Sequence, residues 1–457
     1  MRKNHGLKIV FVGGGSYKWC PKLLSDLIQT PGFEGATIVL LDINLHAARE
    51  VAEAGKAIAN HFRKSYCFLA TRDEEAAFRG ADFIVIAIST GGFEAMQYDL
   101  AIPEKYGIYH TVGDTTGPGG WSRALRNIPV FVRLAQTIER YAPRAVVLNY
   151  TNPMAHLTGT FYEVSRLRTV GLCHGVFGTY ELLEKLCGVQ EKDLCVRFGG
   201  VNHFFFILDF AVKGRPGYPL LSKKLAGRSI DEALAGGNFD PHRCHTHHAL
   251  LDALYRQTGY LGYAEDRHTC EAVGYCLTPT AARMRRFGIQ RTTILDRERV
   301  QQYLHRYTLD LISGKKPPLP RSRETAVDIM KALMTGVPFC DVANLPNSGQ
   351  IDNLPRKAVV ETLALVNSLG FQAVTTGALP PLLKALVEPH CRCQLMTLEA
   401  ALTANRELAL QALMTDPLCA HLPLSEIRKM GLELMTATRP WLPSAWRPAR
   451  SGINLRG

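Results

Sequence analysis

Short apolar runs rich in β-branched residues alternate with helical periodicity along the first third of the chain. Residues 7–12 (LKIVFV) form one such run, which ends in Gly13-Gly14-Gly15-Ser16; Leu23, Leu24, Leu27 and Ile28 then recur at helical spacing. Residues 36–41 (ATIVLL) form a second run that stops at Asp42. Residues 81–88 and 145–148 add two more, the last leading into Asn149-Tyr150-Thr151-Asn152-Pro153. Buried strands alternating with helices, with polar residues at the strand ends, predict an α/β fold with a doubly wound parallel sheet. Ligands bind such a sheet beyond the carboxyl ends of its strands. A Rossmann-like unit is expected over residues 1–168.

The glycine turn implies a cofactor for this unit. Glycines between strand and helix permit a tight turn and let a pyrophosphate approach the helix N-terminus closely. Asp42 can hydrogen-bond both ribose hydroxyls and would repel a 2′-phosphate, which favours NAD over NADP. Gly13, Gly14, Gly15, Ser16 and Asp42 are the cofactor candidates. Lys18 stands where the usual third glycine falls, so the G-x-G-x-x-G pattern is broken.

The chemistry changes beyond residue 168. Cys173-His174-Gly175-Val176 follows a short apolar run, and Gly199-Gly200-Val201-Asn202-His203 precedes another at 204–210. A thiol and an imidazole at element boundaries can share one divalent transition metal and leave positions open for substrate oxygens. They can equally be a buried thiol and a hydrogen-bonded core histidine. Residues 169–435 are read as a second, α+β domain of the lactate/malate-dehydrogenase kind, with helices near 322–336 and 397–415 in its outer part. Residues 436–457 are read as a basic tail broken by Pro440, Pro443 and Pro448.

Composition narrows the classes. The 457 residues are 46% hydrophobic and 21% charged, as expected of a soluble globular protein. No apolar run reaches the ~18 residues of a membrane span, and no signal-peptide pattern is present, so the expected compartment is the cytoplasm. The twelve cysteines show no paired metal-finger spacing. A net charge of +12 is spread without a recognised nucleic-acid module, which excludes nucleic acid as the expected partner. His242, His245, His247 and His248 beside Cys244 read as a polar loop near the site, with a second metal site as the alternative.

Taken together, the motifs resemble glycoside hydrolase family 4, the NAD- and manganese-dependent glycosidases. The resemblance rests on the glycine turn with Asp42, Gly91-Gly92, Pro103 to Gly107, and Asp114 followed by Gly117-Pro118-Gly119-Gly120. It continues through Arg123-Ala124-Leu125-Arg126-Asn127-Ile128-Pro129, the Asn149–Pro153 motif, Cys173-His174 and Asn202-His203. The C-terminal third adds residues 342–347, 398–401 and Asp416-Pro417. It implies Cys173 and His203 as metal ligands, and Asn149, Asn152 and Asn202 as sugar contacts. It also implies His174 as an acid assisting the leaving group. The implied reaction oxidises C3 of the sugar with NAD⁺, removes the C2 proton, eliminates the glycosidic oxygen, adds water and returns the hydride. For the C2 base, Asp266 is the first candidate, then Tyr263, then Tyr260.

Two departures bear on the sugar. The phosphoglycosidase members carry an arginine two residues before Gly-Gly and an aspartate after the metal cysteine; this chain has Ser89 and His174 there. The sequence is therefore closest to the α-galacturonidase and α-glucuronidase members, with α-galactosidase the alternative. A uronate needs a cation at its C6 carboxylate, and guanidinium pairs bidentately with carboxylates. Arg126, Arg285 and Arg286 are the candidates. A hydroxyacid dehydrogenase of the same architecture is the rival class. A homodimer or homotetramer is expected.

Overall fold

The computed structural model describes residues 6–234 and 247–446. Its strands join one sheet: β1 Lys8–Val12, β2 Thr37–Leu41, β3 Cys67–Thr71, β4 Phe83–Ile86, β5 Val146–Asn149, β6 Arg168–Gly171, β7 Leu194–Val201, β8 Phe204–Val212, β9 Arg215–Pro216, β10 Phe339–Pro346, β11 Val359–Asn367 and β12 Gly370–Ala373. The order is β3-β2-β1-β4-β5-β6-β10-β11-β7-β8-β9, and β12 pairs β11. The first six strands are parallel. Their order is that of dinucleotide-binding sheets, as the strand–helix rhythm predicts.

Packing follows from the apolar runs. Strand residues alternate between two buried faces: Ile9, Phe11 and Ile38 pack on the helices Cys20–Gln29 and Leu45–His61. Val10, Val39 and Ile84 pack on Gly117–Tyr141 and Met154–Val164. A strand covered on both faces reads as a continuous apolar run, which is why these strands are visible in the sequence.

The parallel and antiparallel halves meet in one row of paired residues. Gly171 on β6 faces Asn344 on β10, Asn344 faces Glu361 on β11, and Glu361 faces Gly200 on β7. Both glycines are required by packing. A Cβ on Gly171 would lie 2.5 Å from Thr158 Oγ1, and one on Gly200 would lie 2.4 Å from the Phe204 carbonyl oxygen. Cys173 lies two residues beyond the first glycine and Asn202 two beyond the second.

Three expectations change. The boundary placed after residue 168 falls inside β6, and the sheet runs on through it. The helix Ala326–Thr335 buries Val327, Ile329 and Met330 between β10 and β11 and the helix Cys20–Gln29, so it bridges the two halves and does not lie in the outer part of a second domain. The expected tail is packed as far as residue 446, with Leu442 and Trp446 buried in the core; the rest lies outside the described residues, as do His242, Cys244 and His245.

Arg126 is also corrected. It is wholly buried, its guanidinium bound by both carboxylate oxygens of Asp99 and the Thr90 carbonyl, so it holds two helices together rather than reaching a cleft. Removing one partner of a buried ion pair leaves a stranded charge. Arg126→Ala is expected to lower unfolding free energy by about 3–5 kcal/mol in denaturant titrations; a loss under ~1 kcal/mol would contradict this account.

Candidate active site

The glycine turn closes tightly on the strand ends. Gly13 has φ +85°, and a Cβ there would lie 2.2 Å from the Ala87 carbonyl oxygen. The Asp42 carboxylate accepts from the Gly15 N–H at 2.9 Å and the Asn44 N–H at 2.8 Å, so it braces the turn that it borders. The helix after the turn begins only at Cys20. These residues fit a dinucleotide: a bare backbone cradle, a helix N-terminus behind it, and an acid at the next strand end.

Cys173 and His203 converge from the two halves of the sheet. Cys173 follows β6, while His203 forms, with Asn202, the two-residue connection between β7 and β8, at a left-handed φ of +65°. A non-glycine residue held there is strained, and such strain collects at functional sites. The Cys173 Sγ lies 3.1 Å from His203 Nε2. That is the span of adjacent ligands on one ion when each bond is ~2.0–2.3 Å.

Hydrogen bonding fixes the histidine tautomer. The Thr115 hydroxyl donates to the Asp114 carboxylate at 2.7 Å, so toward His203 Nδ1, at 3.0 Å, it can only accept. The proton therefore sits on Nδ1, and the Nε2 lone pair faces the thiol. This is the outer-shell arrangement that orients a metal-binding imidazole. Burial lowers the imidazole pKa, which keeps His203 neutral, as a ligand must be. Burial also raises the Cys173 thiol well above its ordinary range; the Gly175 N–H, pointing at the sulfur from a helix start, acts in the opposite sense.

The loop carrying Asp114 and Thr115 is anchored from beneath. One oxygen of the buried Glu271 accepts the backbone N–H groups of Thr111, Val112 and Gly113. The Gly119 N–H donates to His110 Nε2, so His110 carries its proton on Nδ1 and donates to Glu271. Asp416 caps the next segment through the Gly117 N–H. Although burial opposes ionisation of Asp114, His268, Arg123, His203 and Arg297 hold its pKa well below the carboxylate range.

The remaining sequence candidates divide. Tyr263 is buried, its hydroxyl packed on Gly175 and its ring 5.7 Å from that of His203. Asp266 does not share this place: its carboxylate accepts the Leu250 and Leu251 N–H groups and caps the helix Ala249–Thr258, while burial raises its pKa to about 7. Tyr260 packs beside Tyr218, away from the thiol. His174 is half exposed, 3.8 Å from Glu324 and 5.6 Å from the Trp19 ring. Asn149 is consumed within its own turn, bound to Thr151 and Thr158. The Asn152 carbonyl accepts from Arg123, and its side-chain oxygen is buried without a partner. Asn202 and Asn344 both donate to Glu361 at 2.8 Å. Arg285 and Arg286 are exposed on a short helix, and nothing brings them to the thiol. His247 and His248 pair with Asp231.

Sequence reasoning missed His268 and Thr115. Asp114, His203 and His268 bring ligand atoms within 4.8 Å of one another, and His268 Nδ1 is buried without a partner. The only signal was proximity of His268 to the tyrosines already singled out. Thr115 carried none beyond its place after Asp114.

Rossmann topology joined to a thiol–imidazole centre defines an enzyme, and the comparisons identify it as a glycoside hydrolase. The model for family 4 glycosyl hydrolases matches residues 8–189, and that for the family's C-terminal domain matches 198–419. The chain belongs to glycosyl hydrolase family 4. It is 33% identical to an α-galacturonidase of Thermoanaerobacter italicus over 96% of this chain and 98% of that one. It is 31% identical to an α-galactosidase of Bacillus subtilis over 95% and 99%. The crystal structure of lplD from Bacillus subtilis superposes with TM-score 0.85 at 30% identity, covering 94% of this chain and 99% of that one. A Thermotoga maritima 6-phospho-β-glucosidase, crystallised with manganese, NAD⁺ and glucose-6-phosphate, has the same fold: TM-score 0.78, 20% identity, 95% and 99% covered.

Two outcomes follow. Thr115→Val should weaken divalent-metal binding by about 10–100-fold while Thr115→Ser retains it, measured by manganese paramagnetic-resonance titration; equal affinities would remove Thr115 from the centre. Burial raises Glu361 to about 7, with the Asn202 and Asn344 amides pulling it down. The folded chain thus keeps a proton that the unfolded chain releases above ~4.3, and the stability from this group is lost as pH rises towards 7. Glu361→Gln should gain stability relative to the parent, metal-free, as pH rises from about 5 to about 7; a pH-independent difference would refute the assignment.

Proposed function

We propose that this enzyme is an α-galacturonidase, acting by oxidation and elimination with NAD⁺ and a divalent ion, Mn²⁺ first among them. The observation that carries the proposal is that the glycine turn lies beside the thiol–imidazole pair. Trp19, just after the turn, packs on both Tyr150 and His174, the residue next to Cys173. Family membership and the α-galacturonidase relatives support the sugar class. Family membership also displaces the dehydrogenase reading.

When bound, NAD⁺ supplies a hydride acceptor and the ion a positive charge that favours deprotonation beside it. The chain supplies the rest. Gly13, Gly14, Gly15, Ser16 and Asp42 hold the dinucleotide; Cys173 and His203 hold the metal, with His268 as a further donor. Tyr263, against Gly175 and beside His203, is placed to take the C2 proton. Burial raises its pKa well above the ordinary tyrosine value, so its use as a base depends on that positive charge. His174, half exposed at the cleft wall, is placed to protonate the departing oxygen. Burial lowers its pKa, and Glu324 opposes this. Asn152, with a free buried oxygen, lines the sugar position. The described cysteines are all free, which fits the reducing cytoplasm we assign to it, where the Cys173 thiol stays available. We propose a homo-oligomer as well.

The test is a panel of nitrophenyl α-galacturonide, α-glucuronide and α-galactoside, with NAD⁺, Mn²⁺ and thiol. Galacturonide cleavage that needs NAD⁺ without net NADH, with solvent deuterium at C2 of the product, is the expected result. Preference for galactoside would favour the second reading, which the 31% identical α-galactosidase supports. Cleavage without NAD⁺ or C2 exchange would end the mechanism. Tyr263→Phe should lower kcat by about 10²–10⁴-fold and abolish C2 exchange together with it.

A further inference from the structure

Positive charge gathers around Asp114, supplied by residues that the catalytic assignment does not use. Arg297 reaches from the first turn of the helix Ile294–Ile312 over the anchored loop, where one guanidinium nitrogen donates to the Val112 carbonyl at 2.9 Å. Its Nε is buried and has no partner. Arg267 lies alongside: it donates to the Thr292 hydroxyl at 2.8 Å, and Thr292 is tied by its own N–H to Thr111. The Lys18 ammonium, 5.5 Å from the Trp19 ring centre, faces the same space. Lys18, Arg123, Arg267 and Arg297 stand among four carboxylates, Asp114, Glu265, Glu271 and Asp296, and Asp296 is engaged in capping its own helix at Thr293. One oxygen of Glu271 takes three N–H groups and His110, and the other is buried without a partner. Buried N–H donors without acceptors are costly, and a planar guanidinium with free donors matches the two oxygens of a carboxylate.

We infer that Arg297, with Arg267 and Lys18 beside it, seats the C6 carboxylate of the substrate and thereby sets the preference for uronides over neutral sugars. This deepens the uronide reading and rests on it. The position is consistent with the rest of the cleft. Asp114 leads through Thr115 to His203, so an anion held by Arg297 lies across Asp114 from the metal-binding pair. A hexose has its C6 group on the side of the ring away from C2. The loop joining the two sites is the one pinned by Glu271, so their spacing is rigid. Arg126, Arg285 and Arg286, the arginines that the sequence offered for this role, are respectively engaged with Asp99 and exposed.

The test compares Arg297→Met and Arg297→Lys with the parent as holoenzymes, on nitrophenyl α-galacturonide and α-galactoside. The expected result is a fall of about 30-fold or more in the galacturonide-to-galactoside ratio of kcat/KM for the Met variant, with partial recovery in the Lys variant. Free galacturonate should lose inhibitory strength more than free galactose does. NAD⁺ affinity, read by fluorescence titration, should hold. An unchanged ratio would overturn the inference, as would weakened NAD⁺ binding, which would assign the cations to the cofactor's phosphates. Should Arg297→Met fail to fold, Arg267→Met is held to the same ratio. The parent measurement is separate: a parent that cleaves only galactoside refutes the uronide reading itself, whereas a uronide-cleaving parent with unselective variants refutes only the role of Arg297.

Discussion

The site depends on a single row of paired backbone. Gly171, Asn344, Glu361 and Gly200 lie side by side across four strands, and this row is where a parallel sheet becomes antiparallel. Cross-strand register is quantised: a slip of one residue turns every side chain to the other face. With the row in place, the ends of β6 and β7 are level, and Cys173, two residues beyond Gly171, meets His203, three beyond Gly200. A thiol from the nucleotide half and an imidazole from the antiparallel half therefore meet at 3.1 Å. The buried carboxylate of Glu361 accepts amide donors from both its β10 neighbour and Asn202, which ties the hairpin turn to the joint. Such a carboxylate is costly to bury, and two hydrogen bonds offset part of that cost.

Much of this was readable in the sequence, and the division has a physical reason. Parallel strands are covered on both faces, so residues 7–12, 36–41, 81–88 and 145–148 announce themselves as apolar runs. Cys173 and His203 were legible through the family's motifs around them; by themselves they read equally as a buried thiol and a core histidine. The antiparallel half was less legible. β10 and β11 mix Asp341, Asn344, Glu361 and Thr362 with apolar residues on both faces, and Asn344 and Glu361 form the buried polar joint. Side-chain direction was out of reach altogether. Asp266 and Tyr263 lie three residues apart, yet one caps a helix and the other packs beside the thiol–imidazole pair. Nothing in composition distinguishes a capping aspartate from a catalytic one. Arg126 and Arg297 differ in the same way, by whether a partner such as Asp99 already occupies the guanidinium.

Polar satisfaction explains how so many charges share the interior. Asp114, Thr115 and His203 form a chain in which each proton has one place to go, and Glu271, His110 and Gly119 form a second chain beneath it. The first runs on to the Cys173 thiol and the second ends on backbone N–H groups, so the loop cannot shift without breaking several hydrogen bonds at once. A network satisfied in this way fixes tautomers and loop position together. The atoms left over are then informative. Unpartnered buried atoms at Asn152, His268 and Arg297 lie where substrate, ion or solvent would complete them.

The broken glycine motif fits the same scheme. A third glycine ordinarily lets the first helix pack closely against its strand. Here the Ser16 N–H bonds back to Gly13 and the Cys20 N–H to Ser16, so the helix proper starts at Cys20 and close packing is set by Cys20, Leu23 and Leu24. The position of the third glycine falls in the turn, outside the helix, where a side chain meets no strand. Desolvation of the Lys18 ammonium there lowers its pKa, and Asp114 opposes this. The departure from the glycine motif thus places a cation beside Asp114 at the turn itself.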